Sequence, residues 1–124
     1  MKTQERTRIA SSITKRFAGI LVVGLGLTAG LPNSQAADKT WDGGGDQSSW
    51  NASPANWDSD TAPVANDSLF FGGSTGLYLN NDFAADTDFA GLTFNAGAGS
   101  FTLAGNEVDL IGGVTNLSAN LQTI

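Results

Sequence analysis

The chain has 124 residues, a formal net charge of −6, and no histidine or cysteine. This composition excludes disulfides, cysteine nucleophiles, serine–histidine dyads and zinc sites built on histidine or cysteine. The charges are also unevenly placed, because five of the six basic residues lie in the first sixteen positions and eleven of the twelve acids lie between Asp38 and Asp109.

The N-terminal segment has the composition of a secretory signal peptide. A basic start is followed by the apolar stretch Ala18–Leu31, which is shorter than the roughly 20 residues a membrane-spanning helix needs. The motif Ser34-Gln35-Ala36 then places small side chains at the two positions that signal peptidase reads. We therefore predict a signal-peptide helix over residues 1–36, cleaved after Ala36, with Ala37 as the next-best position. The alternative is an uncleaved anchor helix.

Removal of residues 1–36 from the 124 leaves 88 residues with one cation and eleven acids. Such a surface repels nucleic acid and anionic lipid headgroups, because no basic patch neutralises phosphate. The expected partners are signal peptidase and the general secretory machinery, with an extracellular polysaccharide or a cell-surface partner for the mature protein. The expected location is outside the cytoplasm, either secreted or at the cell surface.

Residues 37–66 are rich in tryptophan, aspartate and asparagine. Trp41, Trp50 and Trp57 are separated by turn-forming glycine, serine and proline residues, and no helical period of apolar residues persists. One interpretation is a cap that covers the end of the following domain. The other is a set of exposed indoles on which a sugar ring stacks. The cap is favoured, because spacings of nine and seven residues through turns do not align the three on one strand face.

Residues 67–124 consist of short apolar segments separated by glycine and asparagine. Several alternate between apolar and polar positions, which is typical of strands with one buried face. The segments are Leu69–Phe71, Leu77–Leu79, Leu92–Phe94, Phe101–Leu103, Val108–Leu110, Val114–Leu117 and Leu121–Ile124. Their starts are six to nine residues apart, except for the 15 residues from Leu77 to Leu92, which leaves little room for helices between them. An all-β domain is therefore predicted.

The spacing of these segments favours a solenoid. Leu92 and Val114 are 22 residues apart, and Phe101 and Leu121 are 20 apart, so three short strands would form one coil of a parallel β-helix. Asparagines at the corners would tolerate left-handed backbone and stack between coils. These asparagines are Asn95, Asn106 and Asn116. A small β-sandwich is the alternative.

Residues 91–106 and 108–116 resemble bacterial autotransporter-associated β-strand repeat proteins. The upstream segments Thr40–Asp46 and Ala55–Asp58 are similar to the entry segment of those proteins. The resemblance implies a right-handed parallel β-helix, exported as a passenger and displayed at or beyond the outer membrane. Because the chain contains little more than one coil, below the roughly three repeats a solenoid needs, we expect further coils beyond Ile124.

The acidic residues give only weak evidence for a metal site or for catalysis. Three aspartate pairs offer oxygen atoms to calcium, but none completes a twelve-residue calcium loop. The pairs are Asp42/Asp46, Asp58/Asp60 and Asp86/Asp88. Acid–base catalysis on polysaccharides is disfavoured because Lys39 is the only cation after residue 16. We therefore predict no catalytic residue, metal or cofactor.

The predicted function is a structural or adhesive role at the cell surface, with no enzymatic activity. The alternative is a polysaccharide-binding module of a longer extracellular protein, with one or more tryptophans exposed for stacking.

Overall fold

The computed structural model describes residues 35–124, so the predicted signal-peptide helix lies outside the described residues. The described residues form eight short strands and two single-turn 3-10 helices. The strands are β1 (Asp38–Trp41), β2 (Ser68–Phe71), β3 (Tyr78–Asn81), β4 (Asp88–Phe89), β5 (Gly91–Phe94), β6 (Thr102–Gly105), β7 (Asp109–Leu110) and β8 (Val114–Asn116); the 3-10 helices are Pro54–Asn56 and Asp58–Asp60. The predicted all-β class is confirmed.

The strands pair in parallel and form three sheets. The first has the order β1-β2-β5-β8, the second pairs β3 with β6, and the third pairs β4 with β7. Consecutive strands β2, β3 and β4 therefore belong to three different sheets, and β5, β6 and β7 repeat the same sequence of sheets. Leu92 pairs with Val114, which confirms the predicted spacing of 22 residues. The second predicted spacing is one residue too short, because Thr102 pairs with Thr123.

The core is built from side chains that alternate along each strand. In β2 and β5 the second and fourth residues are buried, and their pairing stacks identical or similar side chains. Leu69 lies beside Leu92, and Phe71 lies between Trp41 and Phe94 in register. The second sheet contributes the pair Leu79 and Leu103, and the third contributes Phe89 and Leu110. The stacked positions make one continuous hydrophobic cluster.

The corner asparagines differ from the expectation. The described non-glycine residues with positive φ include Asn66 (φ 73°) but not Asn95, Asn106 or Asn116. Asn106 instead uses its amide to bond across to the preceding repeat, with Nδ2 donating to the Phe83 carbonyl at 2.7 Å. Its contribution is therefore a side-chain hydrogen bond between neighbouring segments, with no left-handed backbone.

Candidate functional site

The three tryptophans form one buried cluster. Trp41, Trp50 and Trp57 are 2%, 0% and 0% exposed, respectively. Trp57 lies between the other two, with edge-to-face ring centroids 5.3 Å from Trp41 and 6.1 Å from Trp50. All three rings also pack against Phe71, at centroid distances of 5.5 to 6.3 Å. Edge-to-face contacts at these distances are the favourable geometry for aromatic pairs.

This tryptophan cluster (Trp41, Trp50 and Trp57) has no indole face open to a sugar ring. Stacking of a pyranose requires an exposed aromatic face, and each of these faces is covered by other side chains. The observed packing thus agrees with a role in the core. It does not provide the surface that sugar stacking would need.

The indole N–H groups are not equally satisfied. Trp57 Nε1 donates to the Trp50 carbonyl at 2.7 Å, and Trp41 Nε1 donates to the Thr75 carbonyl at 3.3 Å. Trp50 Nε1 is buried without a hydrogen-bond partner. Burial of an unpaired donor costs free energy. Any stabilisation by Trp50 therefore comes from the packing of its ring, which must outweigh this cost.

Asn56 organises the loop between Trp41 and Trp57. It is fully buried, and its Oδ1 accepts hydrogen bonds from the backbone N–H groups of Gly45 (3.0 Å) and Gln47 (2.9 Å). Its Nδ2 donates to Asp46 Oδ1 at 2.6 Å and to the Ser49 carbonyl at 2.9 Å. One amide side chain therefore holds the glycine-rich turn in place.

Gly44 and Gly45 permit this close approach. A Cβ on Gly44 would lie 2.7 Å from the Ala55 carbonyl oxygen, and one on Gly45 would lie 3.0 Å from Asn56 Oδ1 and also meet Ser53 Oγ. Gly44 and Gly45 are therefore explained by packing against the segment around Asn56.

Asp46 is an acceptor for N–H and O–H groups. Its Oδ2 accepts from Ser49 Oγ at 2.6 Å, and its Oδ1 accepts from the backbone N–H groups of Ser48 and Ser49, each at 2.9 Å. The Ser49 hydroxyl, followed by these N–H groups and the Asn56 amide, holds the pKa of the Asp46 carboxyl well below its usual range. The lone pairs that a calcium ion would need are thus directed to hydrogen-bond donors.

Other aspartates also bind backbone N–H groups. Asp82 accepts from Asn51 (2.7 Å) and Ala52 (2.8 Å), which ties the tryptophan-rich segment to the residues after β3. Asp58 accepts from Thr40 at 2.9 Å. The sequence analysis named Asp58 only as one of the aspartate pairs and did not single out Asp82, so it missed this role. Their position beside turn residues was the available signal.

The predicted cleavage residues lie at the start of β1. Ala36 and Ala37 are both exposed, but the backbone of Ala37 is held on both sides. Its N–H donates to Asp67 Oδ1 at 2.8 Å, and its carbonyl accepts from the Ser68 N–H at 2.8 Å. Asp67 is only 1% exposed. Nothing in the sequence analysis singled out this aspartate.

The segment from β8 to Ile124 has exposed apolar side chains. Strand β8 lies at the sheet edge and all three of its residues are exposed. Val114, Leu117, Leu121 and Ile124 are 48%, 61%, 82% and 63% exposed. We refer to these four as the C-terminal apolar residues.

Within residues 35–124, no group of three or more acidic side chains is placed to hold a metal ion. Over the same range, no helix has the length and hydropathy needed to cross a membrane. Comparisons with protein-family models, curated proteins and solved structures found no match.

Proposed function

We propose that this protein is an exported, non-catalytic β-helical passenger with a structural or adhesive role at the bacterial cell surface. The observation that carries the proposal is the stacking of the strands. Each of the three sheets pairs a strand with its counterpart from the next repeat, in parallel and with similar side chains in register. Repeats stacked in this way form elongated solenoids in repeat proteins, which suits a stalk or passenger at the cell surface.

The pairing favours a right-handed parallel β-helix over a small sandwich. Sandwiches are built from antiparallel strands joined by hairpins and Greek-key connections, whereas the strand pairs here are parallel. The connection from β2 to its parallel neighbour β5 is a crossover within one sheet, and such crossovers are right-handed in nearly all proteins.

The tryptophan cluster is proposed to cap the solenoid. Trp41 lies on β1, the edge strand of the first sheet, and Trp50 and Trp57 pack with it against Phe71 of the neighbouring strand. Terminal repeats of solenoids need capping to cover the hydrophobic core. The polysaccharide-binding alternative depended on exposure of these indoles, and their burial removes its support.

The proposal is tested by following export of the full chain in a Gram-negative host. We expect a processed product, located outside the cytoplasm, whose N-terminal sequence begins at Ala37. Protease added to intact cells should digest it if it is displayed on the surface, with a periplasmic protein as the protected control. A product that retains Met1 and stays in the cytoplasm would contradict export.

A further inference from the structure

The side chain of Asp67 is a buried carboxylate held by backbone donors. Its Oδ1 accepts from the Ala37 N–H at 2.8 Å and its Oδ2 accepts from the Val64 N–H at 2.9 Å. The backbone of Asp67 is fixed as well, because its N–H donates to the Val64 carbonyl and its carbonyl accepts from the Ala90 N–H. The carboxylate is therefore positioned where β1 begins to pair with β2.

A buried carboxylate is normally compensated by a cation. Among residues 35–124 the only basic side chain is Lys39, and the two hydrogen bonds that Asp67 accepts come from the Ala37 and Val64 N–H groups. One of those two donors, the Ala37 nitrogen, is the atom that would become a free amine if the peptide bond after Ala36 were cut.

We propose that signal-peptide cleavage between Ala36 and Ala37 creates an α-ammonium group that forms an ion pair with the buried Asp67 carboxylate. Hydrolysis of the Ala36–Ala37 peptide bond consumes one water, leaves a carboxylate on Ala36 and leaves a protonated amine on Ala37. The N–H···carboxylate bond to Asp67 already has a charged acceptor, and cleavage gives it a charged donor as well, so that the hydrogen bond becomes an ion pair. Processing would then strengthen the attachment of β1 to the next strand.

The same geometry distinguishes the two candidate cleavage positions. A cut after Ala36 leaves the ammonium on the nitrogen that is 2.8 Å from Asp67 Oδ1. A cut after Ala37 removes that nitrogen from the mature chain and leaves Asp67 without this partner. The inference rests on the proposed export, and it assigns Ala37 as the first residue of the mature protein.

The test is a double-mutant cycle on the exported, processed full chain. One change inserts a single alanine between Ala36 and Ala37, which keeps the Ala37 N–H but moves the positive charge one residue away. A cut after Ala36 keeps the small residues Ser34 and Ala36 at the two positions that signal peptidase reads. N-terminal sequencing must show that the variant begins at the inserted alanine, because Ala36 and Ala37 also offer a small pair for a cut after Ala37. The other change is Asp67→Asn, which keeps a side-chain acceptor but removes the negative charge.

With Asp67 present, we expect the insertion to raise the unfolding equilibrium constant, measured by urea titration, about fivefold to tenfold. With Asp67→Asn, the insertion should change it less than about twofold. The matched control is Asp82→Asn, because Asp82 also accepts two backbone N–H groups but lies away from Ala37 in the hydrogen-bond network. In that background the insertion should keep its full effect.

If Asp67→Asn does not fold, the chemical reactivity of the α-amine on the processed chain shows whether that amine is ion-paired with Asp67. The native α-amine should react with an acylating reagent several-fold more slowly than the α-amine of the inserted variant. The Lys39 side chain serves as the internal reference on the same molecule.

N-terminal sequencing distinguishes a failure of the proposed export from a failure of the proposed ion pair. Retention of Met1 would overturn both export and the ion pair. A mature chain that begins at Asp38 would overturn only the ion pair. A chain that begins at Ala37 but shows the same insertion effect with Asp67 and with Asp67→Asn, or equal amine reactivity, would also overturn only the ion pair.

Discussion

Asn56 replaces the regular backbone pairing that the loop after β1 lacks. The segment between Trp41 and Trp57 has little strand or helix structure, so its N–H and carbonyl groups need partners from elsewhere. The Asn56 amide supplies two acceptor bonds and two donor bonds, all within 3.0 Å. All the hydrogen-bonding positions of this buried amide have partners. The hydrogen bonds therefore offset the cost of removing the amide from water, and the amide stabilises the loop.

Replacement of Asn56 by alanine should destabilise the protein by about 2–4 kcal/mol, because several buried or half-buried groups lose their partner. Asn51→Ala is the matched control, since the Asn51 side chain is exposed and its truncation should cost less than about 0.5 kcal/mol. Urea unfolding of both variants measures the difference. Equal stability of the two variants would show that the loop does not depend on the buried amide.

Asp46 should make stability depend on pH in the acidic range. Hydrogen bonds from Ser49 and its neighbours lower the folded-state pKa of this carboxyl, whereas the unfolded value stays near the usual ~3.9. The contribution of Asp46 is therefore fully present well above about pH 4 and is lost as the pH falls through the lower folded-state pKa. Because Asp46 is exposed to solvent, water screens the effect and keeps it modest.

The measurement is the difference in urea midpoint between the native chain and Asp46→Asn, which should be largest near pH 7 and shrink toward pH 2. Ser49→Ala removes the strongest of the bonds to Asp46 and should reduce the pH dependence in part. A difference that stays constant between pH 7 and pH 2 would argue against a lowered pKa in the folded state.

Residue-scale contacts of this kind were beyond sequence reasoning. Asn56 accepts from Gly45 and Asp67 accepts from Ala37, across 11 and 30 positions of the chain. No local pattern encodes such pairs, because they form only when the turns bring distant backbone together. The sequence could indicate that turns occur near these residues, but not which side chain satisfies which backbone group.

At the scale of elements, alternation identified most of the strands. The segments at Leu69–Phe71 and Leu92–Phe94 fall inside β2 and β5, because buried and exposed positions alternate there. Strand β4 was missed, since Asp88–Phe89 is only two residues long and follows an acidic turn. The predicted strand Leu121–Ile124 is represented by a single bridge at Thr123, and the side chains of Leu121 and Ile124 are exposed.

Two tryptophan substitutions should differ although they remove similar volume. Trp57→Phe removes the N–H that satisfies the Trp50 carbonyl at 2.7 Å and leaves that buried acceptor unpaired. Trp50→Phe removes an N–H that has no partner. We therefore expect Trp57→Phe to destabilise the protein by about 1 kcal/mol more than Trp50→Phe, measured by urea unfolding. Equal losses would indicate that the Trp57 hydrogen bond contributes nothing net.

Truncation of the same cluster tests its structural role. Trp50→Ala should cost about 3–5 kcal/mol, because it leaves a large cavity beside Phe71. If the residue were instead a sugar-stacking surface, Trp50→Ala would leave the stability unchanged and abolish retention on insoluble polysaccharide. Urea unfolding and a pull-down with cellulose or chitin distinguish these outcomes.

At the scale of the whole molecule, the two edges of the first sheet are unlike. The β1 edge carries Trp41, which is buried by Trp57, whereas the β8 edge carries Val114, which is 48% exposed. Composition and spacing predicted the repeat length of 22 residues between Leu92 and Val114. The expectation of three strands per coil agrees with the division of the strands among three sheets. Spacing could not predict the register of every pair, such as Thr102 with Thr123, because the register depends on how the corners turn the chain.

Within residues 35–124, the outer edge of β8 pairs with no further strand, and exposed apolar side chains lie near it. We expect this edge to make the protein associate at high concentration. An edge strand presents free N–H and carbonyl groups that another strand can pair with, and charged side chains are an effective block. Leu117 is 61% exposed and directly follows β8, where its N–H donates to the Phe94 carbonyl of β5, so Leu117→Lys places a cation at this edge. We expect the variant to stay monomeric at concentrations where the native chain forms larger species in sedimentation velocity.

Tyr78→Lys is the matched control for that experiment. Tyr78 is similarly exposed, at 79%, but it lies on β3, in the second sheet. Both variants change the net charge equally, so a general effect of charge on association would appear in both. Because association through the β8 edge requires the apolar surface beside that strand, only Leu117→Lys should reduce it. Equal reduction by the two variants, or a native chain that stays monomeric at every concentration, would show that this edge does not drive association.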